Sequence, residues 1–223
     1  MRRNGKTERD LLRFEREIWD SGLITVAGID EAGRGPLAGP VVAAAVVFEP
    51  GNVPDGMRDS KEISPGRRQK LFEVICRNAV SVGIGIVSEK VIDRINILRA
   101  TRLAMVKATK SLKCTPQFCL VDGFVMSDSL PRQKAIIDGD KLSASVAAAS
   151  IIAKVTRDRI MIEQDAVYPA YGFASHKGYG TKMHIKQLRR YGPCKLHRLT
   201  FHPVKLMAGR ERTWERKKSG LAG

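Results

Sequence analysis

An α/β fold is the class this chain predicts, on three observations. Short apolar runs of strand length recur at 23–29, 41–48, 80–87, 118–121 and 135–137. Longer segments of helical character lie between and after them, at 65–78, 97–112 and 145–159. Three of the apolar runs end on acids: Ile29 on Asp30-Glu31, Val121 on Asp122, and Ile137 on Asp138-Gly139-Asp140. Strand ends are where open α/β sheets place their chemistry.

Taken in order, Thr7 to Asp20 reads as a short charged helix ending before Gly22, an N-terminal extension of about 1–22. Leu23 to Ile29 and Val41 to Phe48 read as the first two strands. Between them, residues 28–40 carry two adjacent carboxylates and a glycine-rich turn with a single Arg34. Pro50 to Ser64 is a loop by Gly51, Pro54 and Gly56, and it contains Asp59-Ser60-Lys61. Ser64 as N-cap and Pro65 at the first helical position open a helix to Asn78. Val80 to Val87 alternates around Gly83 and Gly85, which suits a strand approached closely by another backbone. Ser88 to Arg94 reads as a helical turn and Ile97 to Leu112 as an amphipathic helix, ended by Pro116. After the strands at Phe118–Val121 and Ala135–Ile137, Ser145 to Arg159 is a small-residue helix able to pack close to a sheet. A basic helix from Lys182 to Arg190 and a partly basic one from Pro203 to Arg216 form a C-terminal helical segment, about 181–223. One domain over 1–223 is the expectation.

The charge narrows the function. Lys and Arg number 39 against 23 Asp and Glu, a net +16, so a polyanion that releases condensed counterions is the expected partner. A solvated basic surface is the plainer alternative. The first 20 residues interleave charges with no apolar core, and no stretch approaches the roughly 20 apolar residues that cross a bilayer, so the reading is cytoplasmic with no membrane. Four cysteines without a CxxC pair, and histidines mostly distant from them, do not suggest zinc.

Each strand-end acid alone reads as a turn former or helix cap. If the strands lie side by side, four carboxylates converge and raise each other's pKa unless a cation neutralises them. Oxygen-only ligands favour magnesium or manganese. On a basic chain that combination fits phosphodiester hydrolysis, with two ions about 3.5–4 Å apart clamping the attacking and leaving oxygens.

At this point the chain closely resembles bacterial ribonuclease HII, the type 2 ribonuclease H. The matching segments are AGIDEAGRGPLAGP (27–40), Asp59-Ser60-Lys61, Asn96-Ile97-Leu98, LVDG (120–123), Gly139-Asp140, AAASIIAKVTRD (147–158), HKGY (176–179) and 197–204, spanning about 24–207. The resemblance implies a ribonuclease H-like mixed central sheet flanked by helices, its first three strands antiparallel and the next two parallel. It implies hydrolysis of RNA in RNA/DNA hybrids, and incision 5′ of single ribonucleotides in duplex DNA, leaving 3′-hydroxyl and 5′-phosphate ends. Asp30, Glu31, Asp122 and Asp140 are the implied ligands of two divalent ions, Mg2+ or Mn2+. Gly33, Arg34 and Gly35 are implied to read the ribose 2′-hydroxyl, Tyr179 to pack against the following sugar, and Ser60, Lys61 and Asn96 to contact phosphates. A tight turn needing positive φ also explains the glycines, and packing also explains Tyr179. His176 and Lys177 match without an evident role, and Ser150 is a neighbour of the site. Asp138 departs from the family pattern, which often has a basic residue there. A monomer is implied, and a sliding-clamp peptide at the C terminus finds no clear motif in 210–223. A non-catalytic nucleic-acid-binding module and a nuclease of the same superfold that ignores the 2′-hydroxyl, such as a junction resolvase, remain as alternatives.

Overall fold

The computed structural model describes residues 10–57, 63–124 and 132–208. Five strands form one sheet: β1 (Val26–Ala32), β2 (Val41–Val47), β3 (Ser81–Val87), β4 (Phe118–Asp122) and β5 (Arg132–Ile136), in the order β3-β2-β1-β4-β5. β1 pairs antiparallel with β2 and β2 with β3, whereas β1–β4 and β4–β5 are parallel. This is the mixed sheet that the resemblance implied. The helices are α1 (Arg13–Trp19), α2 (Pro65–Asn78), α3 (Glu89–Ile95), α4 (Ile97–Lys110), α5 (Ala144–Val167), α6 (Phe173–His176) and α7 (Lys182–Tyr191), with a 3-10 turn at Gly139–Lys141.

Strand alternation divides the core into two layers. Ala27, Ile29, Ala43 and Ala45 face α4 through Ala104, Met105 and Ala108. Ala44 and Val46 face α5 through Ala147, Ala148, Ile151 and Ile152. The small residues set the spacing: a Cβ on Gly85 or Gly83 would stand 1.9 Å from Ala104 O or 2.1 Å from Ala108 O of α4. On the other face, a Cβ on Gly28 would stand 2.1 Å from the carbonyl carbon of Ser145, so the start of α5 lies directly on β1.

Buried Glu15 of α1 accepts from Ser143 Oγ and Ser145 Oγ at 2.6 Å and from Ser145 N at 2.9 Å, anchoring the N-terminal helix to the first turn of α5. Several boundaries differ from the sequence reading. β1 continues through Ala32 because its ladder with β2 does, so Asp30 and Glu31 lie inside the strand, opposite Ala44 and Ala43. β5 takes its bounds from its pairing with β4, which leaves Ile137 out of the strand and 80% exposed. α5 runs on to Val167, since nothing before Pro169 breaks it. Of the expected last helix, residues 204–208 are helical and the remainder lies outside the described residues. Ser60, Lys61 and residues 210–223 also lie outside them.

Candidate active site

The sheet register sets Asp30 beside Asp122. Ile29 of β1 pairs with Val121 of β4, so Asp30 and Asp122 are level on adjacent parallel strands, on the face opposite the Ile29–Val121 layer. Asp122 pairs in turn with Ile136, the last residue of β5, after which the chain turns back through Asp138 into Gly139-Asp140. Gly139 N donates to Asp122 Oδ1 at 2.7 Å, fixing the Asp140 turn against the end of β4. Asp30 and Asp140 are both buried, at 4% and 3% exposure.

Burial pushes the Asp30 carboxyl well above the usual carboxylate range, and the charges of Glu31 and Asp122 push it further. Hydrogen bonds from Ser150 of α5 and from the Glu31 amide, at 2.6 Å, act in the opposite direction. Ser150 is thus a direct neighbour of the site. Among the described residues no three His, Cys, Asp or Glu side chains are grouped closely enough to hold an ion as they stand. The donor chemistry nevertheless fits a hard divalent cation: oxygen-only groups, with one buried carboxyl raised by two others that a cation would neutralise.

The glycine turn follows at once. Arg34 Nη1 lies 3.3 Å from Glu31 Oε1, and its guanidinium stands 5.6 Å from the Phe124 ring centroid. The two glycines differ. Gly33 has φ +94°, and a Cβ there would stand 2.1 Å from Arg157 Nε, so the fold itself requires glycine. Gly35 is outside the left-handed region, and a Cβ on it would meet nothing within 4 Å among the described residues. Nothing in the described fold asks for glycine at 35, whereas a sugar closing on the loop would.

Tyr179 is 43% exposed, in a loop pinned beside that turn by Leu37 N donating to Gly178 O at 2.8 Å. Lys154 Nζ and Arg157 Cζ stand 5.8 and 5.9 Å from its ring centroid. Asn96, at φ +66°, is the N-cap of α4, its Oδ1 accepting Arg99 N–H at 3.1 Å. Asp138 is exposed, left-handed at φ +56°, and 3.4 Å from Lys141 Nζ. Lys177, also left-handed at φ +51°, donates from Nζ to Ala174 O.

The histidine of HKGY acquires a role here, together with two others. Gly178 N donates to His176 Nδ1 at 3.1 Å, so His176 Nε2–H donates to Tyr171 O at 2.8 Å. Cys194 N donates to His197 Nδ1, which leaves His197 Nε2–H to donate to His184 Nε2 at 3.0 Å. His184 Nδ1–H then donates to Tyr179 O at 2.9 Å. The chain is satisfied only with neutral rings, and burial first, then the neighbouring histidines, lower His184 and His197 to about 4. A pKa lowered on folding stabilises above the unfolded value near 6.5 and is lost as pH falls toward the folded one. The melting temperature is therefore expected to fall between pH 6.5 and 4, with a contribution of about 3 kcal/mol per ring. His197→Gln should flatten that slope in a thermal-melt series; an equally steep acid limb in the variant would contradict the assignment.

Sequence reasoning missed the supports of the turn, Arg157 and Arg198. Arg198 donates to Gly33 O at 2.6 Å, Arg34 O at 2.8 Å and Gly39 O at 2.9 and 3.0 Å. One signal was available for Arg157: it continues the buried i, i+4 stripe of Ala153 and Met161, where a charged residue is anomalous.

The family model described as Ribonuclease HII matches residues 27–204. The Ribonuclease HII of Geobacter sp. (strain M21) is 52% identical over 202 residues, covering 91% of this chain and 88% of that one. That of Acholeplasma laidlawii is 51% identical over 195 residues, covering 87% and 96%. Among solved structures, ribonuclease H2 from Pyrococcus horikoshii OT3 superposes with a TM-score of 0.73 at 30% identity, covering 85% of this chain and 99% of that one. RNase HII from Archaeoglobus fulgidus, in a structure of its complex with PCNA, gives 0.67 at 26% identity, covering 80% and 95%.

Proposed function

The chain belongs to the ribonuclease HII family and is a ribonuclease H, an RNA-hydrolysing endonuclease; from that premise we propose that it cuts RNA in RNA/DNA hybrids and incises 5′ of single ribonucleotides embedded in duplex DNA. Products carry 3′-hydroxyl and 5′-phosphate ends. The role is ribonucleotide removal during DNA replication and repair, carried out in the cytoplasm by a monomer whose one catalytic domain occupies the chain. Among the described residues no helix is long and apolar enough to cross a membrane.

One observation carries this reading: the buried, charge-coupled Asp30 and the open Gly35 lie five residues apart on one strand and its turn. Asp30, Glu31, Asp122 and Asp140 would hold two divalent ions, Mg2+ or Mn2+. Such ions, when bound, lower the pKa of the attacking water and stabilise the leaving oxygen. The protein's own part is placement. Ser150 and the Glu31 amide orient the Asp30 carboxyl, and Gly139 N orients that of Asp122. Gly33-Arg34-Gly35 approaches the ribose, where the 2′-hydroxyl separates RNA from DNA. Tyr179 covers the next sugar, Ser60, Lys61 and Asn96 take backbone phosphates, and the excess of Lys and Arg holds the duplex. The archaeal relative is seen in complex with PCNA, while 210–223 of this chain carries no clear clamp motif.

Mapping products from an end-labelled hybrid with Mg2+, with Mn2+ and with chelator tests the reaction; binding without any ion-dependent nicking would favour the non-catalytic binding module. Gly35→Ala tests the reader. It should leave the unfolding free energy within about 0.5 kcal/mol of the parent, as surface changes do. It should also lower kcat/KM on a single-ribonucleotide duplex about tenfold or more, as a misplaced reacting group does. Unchanged kinetics would remove Gly35 from the contact.

A further inference from the structure

Among the described residues, Arg157 and Arg198 are the largest side chains that the fold buries completely. Burying a guanidinium is costly and an apolar side chain of the same volume generally costs less; Asp158 attracts Arg157, and Asp93 and Glu89 attract Arg198, but the hydrogen bonds of both guanidiniums go to backbone carbonyls. A rigid fork of donors can do what an apolar chain cannot, which is to hold several carbonyls in fixed relation. Arg157 does so across two separate segments. Its Nε donates to Pro40 O and its Nη2 to Ala38 O, both at 3.0 Å, on the turn that begins at Gly33. Its Nη1 donates to Lys177 O at 3.0 Å, two residues before Tyr179. The same guanidinium underlies Gly33 and lies 5.9 Å from the Tyr179 ring centroid.

We propose that Arg157 is a positioning residue for ribonucleotide recognition, locking the Gly33-Arg34-Gly35 turn and the Tyr179 loop into one reader of fixed spacing. The proposal rests on the assignment of those two segments to the ribose and the following sugar. A hydroxyl reader and a sugar-covering ring discriminate a junction only if their separation is held, and a shift of the order of 1 Å between such groups costs about a hundredfold in rate. Arg198 holds the glycine turn alone, so its loss would loosen one element; loss of Arg157 uncouples two.

The test is a double-mutant cycle. Arg157→Met keeps the volume and removes the buried charge; Arg157→Lys keeps the charge and loses the fork. Each is combined with Tyr179→Ala, and kcat, KM and the positions of incision are measured on a single-ribonucleotide duplex and on a long hybrid. Ile75→Ala, which loosens the core cluster that α2 shares with α5 while leaving every hydrogen bond of Arg157 in place, serves as the control for lost stability. Arg157→Met is expected to lower kcat/KM on the single ribonucleotide at least tenfold and to scatter the incision site, with a smaller loss on the long hybrid. Arg157→Lys should recover part of both, and Arg157→Met should add less than twofold once Tyr179 is Ala. Full additivity in the cycle, or the same scatter in Ile75→Ala, would overturn the proposal. Should Arg157→Met not fold, the cycle with Arg157→Lys decides by the same additivity criterion, and failure of both to fold would show a purely structural role and also overturn it. If Tyr179→Ala alone changes nothing, the assignment of Tyr179 fails instead, a result distinct from either.

Discussion

Asp30→Asn is expected to abolish cleavage and at the same time to make the protein more stable. The two effects have one cause. Asp30 is buried against the charges of Glu31 and Asp122, and its carboxyl is pushed well above the ordinary range. An acid whose folded pKa is raised is penalised when ionised in the folded state, so at neutral pH its charge opposes folding. Asn is isosteric, removes that charge and keeps the shape, and relief of such repulsion commonly raises stability at an active site. The lost carboxylate is the same group that would neutralise a cation, so the cleavage rate should fall by at least about a thousandfold, or about 4 kcal/mol of barrier. Duplex binding, carried by basic groups elsewhere, should persist. Thermal melts with and without Mg2+ check the pairing of effects: the parent should be stabilised by the ion, and the variant should start higher and respond less. A variant that melts lower and binds no duplex would make Asp30 structural.

Gly28→Ala has the largest expected effect on folding. The added Cβ would stand 2.1 Å from Ser145 C and 2.4 Å from both Ser145 O and Val146 N, all backbone atoms of the first turn of α5, so no side chain can swing away. Either the helix lifts from β1 or the strand bends, and overpacking of this kind costs about 3 kcal/mol or more. The damage reaches the site, because α5 also carries Ser150 onto Asp30 and Arg157 under Gly33. A denaturant titration should show the unfolding free energy lowered by that amount, with cleavage impaired even under conditions where the variant stays folded. A variant as stable as the parent would mean that α5 sits further from the sheet than described.

The parts of the fold legible in the sequence were those set by local chemistry. Ser64 and Pro65 marked the start of α2, and Ser64 Oγ does accept Arg67 N–H, because an N-cap is decided within four residues. Gly83 and Gly85 announced a close backbone, and α4 is that backbone. Strand limits and directions were not legible from the residues alone. β5 ends at Ile136 because β4 ends opposite it, and the parallel pairing of β1 with β4 came only through the family resemblance. Within the site, the acids announced themselves by recurring after apolar runs. The groups that hold the glycine turn and the Tyr179 loop did not: Arg157 and Arg198 act on carbonyls more than a hundred residues away, and the pairing of His197 with His184 and of His184 with Tyr179 O depends on how the chain folds between them.

The most direct test of the central claim, that cleavage is directed by the 2′-hydroxyl beside a carboxylate metal site, compares three labelled duplexes of one sequence with Mg2+ or Mn2+ present: all DNA, DNA with one embedded ribonucleotide, and an RNA/DNA hybrid. The expected result is a single incision 5′ of the ribonucleotide, multiple cuts in the RNA strand of the hybrid, and an intact all-DNA duplex. Equal cutting of the all-DNA duplex would contradict it.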